Sequence, residues 1–267
     1  MMLGVELLRE FVASVILTGR VKNCDPVSAL LIAAPESGKT SIIVERSTKN
    51  VWPLTDVTGR ALVELCKNRP EISHFALLDL VTIMSHKKTV NSYTFGILNA
   101  MTEEGIKSVA LPGSVETFDH GRRAILGAIT ADLSEDKRRW WHKQGFTSRM
   151  VPFCYTYSNE LVLRIKGRIE RGSNSKQSKL DALHVPEAKI FVGCSVTRAR
   201  AIRYISDIAS ARLEEIGIRR LKQFMALACG HALLRTWKQP TVNDKDIEFL
   251  ERIQAHVSFD KPVALTR

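Results

Sequence analysis

Residues 28–41 read Ser28-Ala29-Leu30-Leu31-Ile32-Ala33-Ala34-Pro35-Glu36-Ser37-Gly38-Lys39-Thr40-Ser41. The first seven are a short apolar run stopped by a proline, the pattern of a strand buried on both faces of a parallel sheet. The run passes into G-x-x-x-x-G-K-[ST] with Ala33 at the first position, and a helix begins at Thr40 to Glu45. Strand, Gly-Lys-Thr loop and helix together are the context that a phosphate-binding loop requires. Successive backbone N–H groups and the helix N-terminus face an anion, Lys39 reaches the terminal phosphates, and the Thr40 hydroxyl can ligate magnesium. The candidate nucleotide-binding residues are Ala34, Pro35, Glu36, Ser37, Gly38, Lys39, Thr40 and Ser41. Alanine at position 33 is a mild departure, because the first position is less crowded by phosphate than Gly38.

Outward from this loop, buried runs alternate with helical ones. Val5 to Ala13 has helical spacing of apolar residues, Val51 to Thr55 reads as a second strand, and Gly59 to Lys67 as a helix. Phe75-Ala76-Leu77-Leu78 is another buried strand closing on Asp79. Tyr93 to Glu103 reads as a helix, and Ala124 to Ile129 and Val151 to Tyr155 as further strands. The alternation predicts an α/β fold, with a central parallel sheet covered on both faces. Arg171 to Ser178 is a Ser-rich polar loop or linker, and beyond about Arg198 nearly everything is helical: Ala201 to Glu215, Arg219 to Trp237, and a last helix N-capped by Asp244. The expected organisation is a nucleotide-binding core over 1–172, a linker over 173–197 and a small all-helical lid over 198–267.

A phosphate loop needs a carboxylate on a neighbouring strand to hold magnesium through water. Asp79 stands at that position, although an aspartate there also serves to cap a strand-to-loop turn. Many ATPases follow it with a glutamate that polarises the attacking water, whereas this chain has Leu80, which has no basic group. Either Asp132, Glu103 or Glu104 does that work, or hydrolysis is slow and the protein behaves as a switch.

With these residues in hand the chain resembles the AAA+ ATPases from about residue 10 to 255. Within them it resembles the branch with a hairpin before the sensor-1 strand, which includes minichromosome-maintenance helicases and MoxR-type ATPases. Leu78-Asp79-Leu80-Val81-Thr82-Ile83-Met84, Leu98-Asn99-Ala100-Met101-Thr102-Glu103-Glu104-Gly105, Arg219 to Ala228 and Thr241 to Ile247 carry that closer likeness. The resemblance implies a three-layer core with a helical lid that binds ATP and Mg2+ between subunits, so a homo-oligomer, ring or spiral, of six by family likeness. It implies Thr130 as the polar sensor-1 residue and Arg149 as an arginine finger given to the neighbouring subunit. Arg219 would be sensor 2, coupling the lid to nucleotide. Charge developing on a transferred phosphoryl group needs fixed cations on several sides. Arg198 and Arg220 compete with Arg219 for its role, and Arg138 and Arg139 with Arg149. The catalytic set is thus Lys39, Asp79, Thr130, Arg149 and Arg219, and the metal ligands are Thr40 and Asp79.

The 267 residues carry 39 Lys+Arg against 28 Asp+Glu, a net charge of +11 that favours an anionic partner such as DNA. Between Ile106 and Phe118, Pro112-Gly113 divides two β-prone halves and predicts a hairpin, which in the related branch faces the pore and grips DNA. Lys87, Lys88 and Lys107 are the candidate DNA contacts, with Arg122-Arg123 a further pair; an ordinary surface hairpin fits equally. Trp140-Trp141 reads better as packing at a subunit interface than as a base-stacking platform. Five separated cysteines read as free thiols in a reducing compartment. The seven histidines form no ligand cluster, and no Ser-His-Asp or Cys-His arrangement is legible, which excludes a hydrolase other than an NTPase. With no signal peptide and no run near the roughly 20 apolar residues of a membrane span, the expected location is cytoplasmic. The function expected is a DNA translocase, helicase-like motor or loader. The alternatives are a MoxR-like remodeller of protein partners and an assembly switch with slow hydrolysis.

Overall fold

The computed structural model describes residues 5–111, 114–117, 122–132, 140–170 and 183–265. Ser28–Ala33 forms β1, buried along its whole length, as its uniform Leu/Ile/Ala content dictates. Around it lies a six-stranded sheet in the order β2-β3-β6-β1-β7-β8, with β2 Val51–Leu54, β3 His74–Leu77, β6 Ala124–Thr130, β7 Met150–Tyr157 and β8 Val263–Leu265. Every pairing in it is parallel. β4 Ser108–Leu111 and β5 Ser114–Thr117 form a separate antiparallel hairpin, with Leu111 opposite Ser114. The expected hairpin is therefore present; its Pro112-Gly113 turn lies outside the described residues.

The helices are α1 Glu6–Thr18, α2 Lys39–Arg46, α3 Gly59–Asn68, α4 Leu80–Met84, α5 Lys88–Glu103, α6 Asn159–Glu170, α7 Val196–Leu213, α8 Ile218–Arg235 and α9 Asp244–Gln254. α1 is buried over most of its circumference because α2, α8 and α9 all pack on it. Gly230 of α8 lets that packing close: a Cβ there would stand 2.3 Å from the Ser14 carbonyl oxygen. The buried Arg9 of α1 reaches Glu45 of α2 with two hydrogen bonds, at 2.9 and 3.1 Å, fixing the helix that follows the Gly38-Lys39-Thr40 turn.

Two details differ from expectation. The N-cap of α9 is Asn243, not Asp244: its side chain accepts from the Lys245 N–H while Asp246 accepts from the Asn243 N–H, a reciprocal capping box that places the cap one residue earlier. Val263–Leu265, expected within an all-helical lid, instead forms β8 and pairs Val263 with Tyr155 and Leu265 with Tyr157 on β7. The Ser-rich stretch at 171–182 lies outside the described residues. Among the described residues no helix is long and apolar enough to cross a membrane.

Candidate functional site

The loop between β1 and α2 turns at two left-handed residues, Glu36 at φ 58° and Gly38 at φ 77°. Glycine takes that conformation at little cost, and here it forms the N-cap of α2. Left-handed residues alternating with right-handed ones are the backbone pattern that turns successive N–H groups to one side and suits an anion. Lys39, 9% exposed, folds across the loop and donates to the Ala33 carbonyl at 2.9 Å, the Ala34 carbonyl at 2.7 Å and the Ser37 hydroxyl at 3.1 Å. Burial draws its amine down from the usual range, and the charge of Asp79 opposes that shift. Asp79 is thus close enough to Lys39 to be felt electrostatically.

Thr40 donates to the Leu78 carbonyl at 3.3 Å, so its hydroxyl lies beside Asp79 at the carboxyl edge of β3. Asp79 also caps α4, accepting from the Val81 N–H at 2.9 Å; the capping reading and the site reading apply to the same carboxylate. Thr130 pairs in register with Ala33, which puts it on the strand next to the loop's first residue. Leu80 is fully buried, and a Cβ at Gly127 of β6 would stand 3.1 Å from its Cδ1, so position 80 serves the core. Asp132 is exposed just past Thr130. The donors present, a hydroxyl, a carboxylate and an ammonium at one loop, fit a magnesium–phosphate group.

Arg149 and Arg219 lie elsewhere. Met150, the residue after Arg149, pairs with Ser28 at the start of β1, whereas the loop leaves its end. Six strand residues at about 3.3 Å each separate the two edges by about 20 Å. At that far edge both arginines bond the Glu103 carboxylate, and Arg219 also donates to the Ser148 hydroxyl at 2.7 Å. Burial alone would raise the Glu103 carboxyl, but the two guanidinium groups outweigh it and hold it below the usual carboxylate range. These three residues line a cavity of about 760 Å³ with Asp25, Arg122 and Lys222.

The sequence reading changes at several points here. Arg219, at the start of α8, stands beside Arg149 at the sheet's amino edge, both on Glu103. Glu103, which ends α5 and bonds Arg149 and Arg219 at that far edge, stands too far from its own chain's loop to serve water there. Of the rivals to Arg219, Arg220 is fully buried on Glu215 and the Met150 carbonyl, and Arg198 pairs with Asp244. Arg138 and Arg139 lie outside the described residues. Three cysteines that look scattered in sequence, Cys24, Cys194 and Cys229, line the same cavity, a meeting that only the tertiary fold creates.

Lys87 and Lys88 open α5 and Lys107 follows its end, so 16 helical residues, about 24 Å, keep them from forming one patch. Arg123 is buried with a hydrogen bond to the Pro70 carbonyl at 3.0 Å, and Arg122 pairs with Asp25, so this pair braces the start of β6. The tryptophans pack within the chain. Trp141 is fully buried beside Phe146 at 5.7 Å between centroids, and Trp140 meets Phe95 edge-on at 5.0 Å, so the expected interface role does not hold for Trp141.

No protein-family model matches the chain, and no curated protein matches it. Solved structures do. A full-length MCM homolog from Methanopyrus kandleri aligns with 97% of this chain at 14% identity and a TM-score of 0.51, and this chain spans 56% of its length. A candidate ATPase from Cytophaga hutchinsonii ATCC 33406 aligns with 98% of this chain and 83% of its own, at 12% identity and a TM-score of 0.50. The chain shares the fold of these two solved structures, the α/β arrangement expected of an AAA+ core, with a parallel sheet, the Lys39 loop at its carboxyl edge and a helical C-terminal region.

Proposed function

We propose that the protein is an AAA+ ATPase whose active sites form between adjacent subunits of a homo-oligomer. One observation carries this reading: the loop holding Lys39 and the pair Arg149–Arg219 occupy opposite edges of one sheet, about 20 Å apart. A chain built this way offers half a site at each edge, and head-to-tail contact brings unlike halves together. In the completed site the loop N–H groups and Lys39 hold the phosphates of ATP. Thr40 and Asp79 hold Mg2+, which when bound neutralises phosphate charge and fixes its orientation. Thr130 offers a polar contact at the terminal phosphate. Arg149 and Arg219 of the adjoining subunit balance charge that develops on the transferred group.

Leu80 in the core favours slow turnover, so the assembly state set by bound ATP matters as much as hydrolysis. DNA is the proposed partner, supported by the +11 charge and the hairpin before β6. The test is ATPase rate against protein concentration, with and without single- and double-stranded DNA, at low and moderate salt. A rate rising faster than linearly with protein and stimulated by DNA in a salt-sensitive way supports the proposal. A rate strictly linear in protein removes the shared site, and indifference to DNA redirects the search to protein partners. Lys39→Ala abolishing ATP binding checks the site itself.

A further inference from the structure

Phosphate loops work by where their N–H groups point, so whatever fixes the peptide planes matters. In this chain the plane between Ser37 and Gly38 is held from outside the loop. Tyr157 donates its hydroxyl to the Ser37 carbonyl at 2.6 Å, and Tyr155 donates to the same oxygen at 3.1 Å. A carbonyl oxygen has two lone pairs, and two phenols on one strand satisfy both. Every described peptide bond is trans, so the C=O of Ser37 and the N–H of Gly38 point in opposite directions. With the oxygen drawn toward the two phenols on β7, the Gly38 N–H is turned to the side away from them.

We propose that Tyr155 and Tyr157 are positioning residues of the nucleotide site, orienting the Gly38 N–H for a phosphate oxygen by holding the Ser37 carbonyl from behind. The inference rests on the nucleotide-binding reading above. Neither tyrosine touches the ligand; both act through the peptide plane.

The setting suits the task. Tyr155 is fully buried and Tyr157 half-buried, and the rings meet edge to face at 6.0 Å. Burial pushes the Tyr157 phenol up to about 12 and Tyr155 further, so both remain donors at any physiological pH. β8 pairs with these same two residues, Val263 with Tyr155 and Leu265 with Tyr157, so the return of the chain from the helical region braces the clamp. Arg9, bonded to the loop helix at Glu45, also acts electrostatically on Tyr157.

The experiment compares the full chain with Tyr155→Phe, Tyr157→Phe, the double variant and Lys39→Ala. Binding of ATP, inorganic tripolyphosphate and adenosine is measured, with melting temperature alongside. Loss of one hydroxyl weakens ATP and tripolyphosphate by up to about fivefold, the scale of one net hydrogen bond, and loss of both weakens them more than either alone, because the remaining phenol no longer holds the shared carbonyl. Adenosine, which carries no phosphate, binds unchanged. ATP affinity unaltered in the double variant while Lys39→Ala loses it would overturn the clamp and spare the nucleotide site. Adenosine weakened by the same factor would also overturn it, reducing the tyrosines to scaffold. A wild-type chain that binds neither ATP nor tripolyphosphate would overturn both readings together. Where Tyr155→Phe fails to fold, the half-buried Tyr157→Phe alone carries the test.

Discussion

The proposed division of the site between two edges of one sheet predicts complementation between two inactive variants. Lys39→Ala removes the loop's ammonium and leaves Arg149 in place; Arg149→Ala does the reverse. Arginine fingers contribute roughly 10³-fold or more to turnover, so each variant alone is essentially silent. The six residues of β1 put about 20 Å between the two groups, beyond the reach of any side chain, so neither can repair its own chain. In an equal mixture that assembles at random, half the subunits carry an intact loop and half an intact finger. About one interface in four then joins both, since head-to-tail contacts pair the loop of one chain with the finger of the next. The mixture is expected to recover about a quarter of wild-type ATPase activity at matched total protein, read by phosphate release after co-refolding or prolonged exchange. Recovery that depends on dilution would strengthen the case. A mixture no more active than its parts, although light scattering shows mixed oligomers, would refute a site shared between subunits.

Three further outcomes follow from the packing. Gly230→Ala drives a methyl group to 2.3 Å from the Ser14 carbonyl and forces α1 from α8. Overpacking costs about 1–3 kcal/mol and the gain in helix propensity returns about 1, so urea denaturation should show a net loss, and a stabilised variant would contradict the close approach. His231 on α8 lies between Asp246 at 2.6 Å and Glu10 at 2.9 Å, stacked on Phe249, with Arg235 and Arg252 on the same carboxylates. Burial lowers its pKa, but the two hydrogen-bonded carboxylates outweigh that and raise it. Its stabilisation is therefore complete below the unfolded value of about 6.5 and is lost as pH rises through the raised folded value. Buried His74, held at about 4 chiefly by burial, works the other way, losing stability as pH falls from about 6.5 toward about 4. Melting against pH should form a dome whose alkaline limb flattens in His231→Gln; an unchanged limb would remove His231 from that role. Leu80→Glu places a carboxylate against Gly127 in the core, so it should lower stability by about 3 kcal/mol and leave turnover no faster. Faster turnover would mean that position 80 reaches the water after all.

What could be read from the sequence was what periodicity and local chemistry encode. The β1 run, the Gly-Lys-Thr turn and Asp79 after Leu78 are contiguous signals, and the parallel sheet followed from buried runs alternating with helices. The hairpin was legible because Pro112-Gly113 divides two β-prone halves. Roles that depend on which edge of the sheet a residue meets were not. Arg219 and Glu103 are 116 positions apart, and only the crossing of α8 over the sheet's amino edge brings them together. Trp141 looked like a surface feature because basic residues flank it, yet Phe95 and Phe146 enclose the pair. β8 escaped notice because a three-residue strand has no period to detect. Tyr155 and Tyr157 read as ordinary strand aromatics, and nothing local reveals that both hydroxyls share one carbonyl 118 and 120 residues away.

In the site proposed to be shared between subunits, the contacts of Glu103 would set a direction of control. Two guanidinium groups held side by side repel each other, and in this chain a single carboxylate joins them. That pairing holds Arg149 and Arg219 as one unit in the cavity lining, so in the proposed shared site both would meet an adjoining nucleotide together. It also sets the competition that a neighbour's ATP must win. The phosphates with magnesium must draw the cations more strongly than one half-exposed carboxylate does, and a hydrolysed nucleotide with one phosphate fewer draws them less. If the site is shared as proposed, assembly would thereby be tied to the nucleotide state at the far edge of the next chain. Such a tie would operate even with slow hydrolysis, because a subunit whose position 80 carries leucine could still report which nucleotide its neighbour holds.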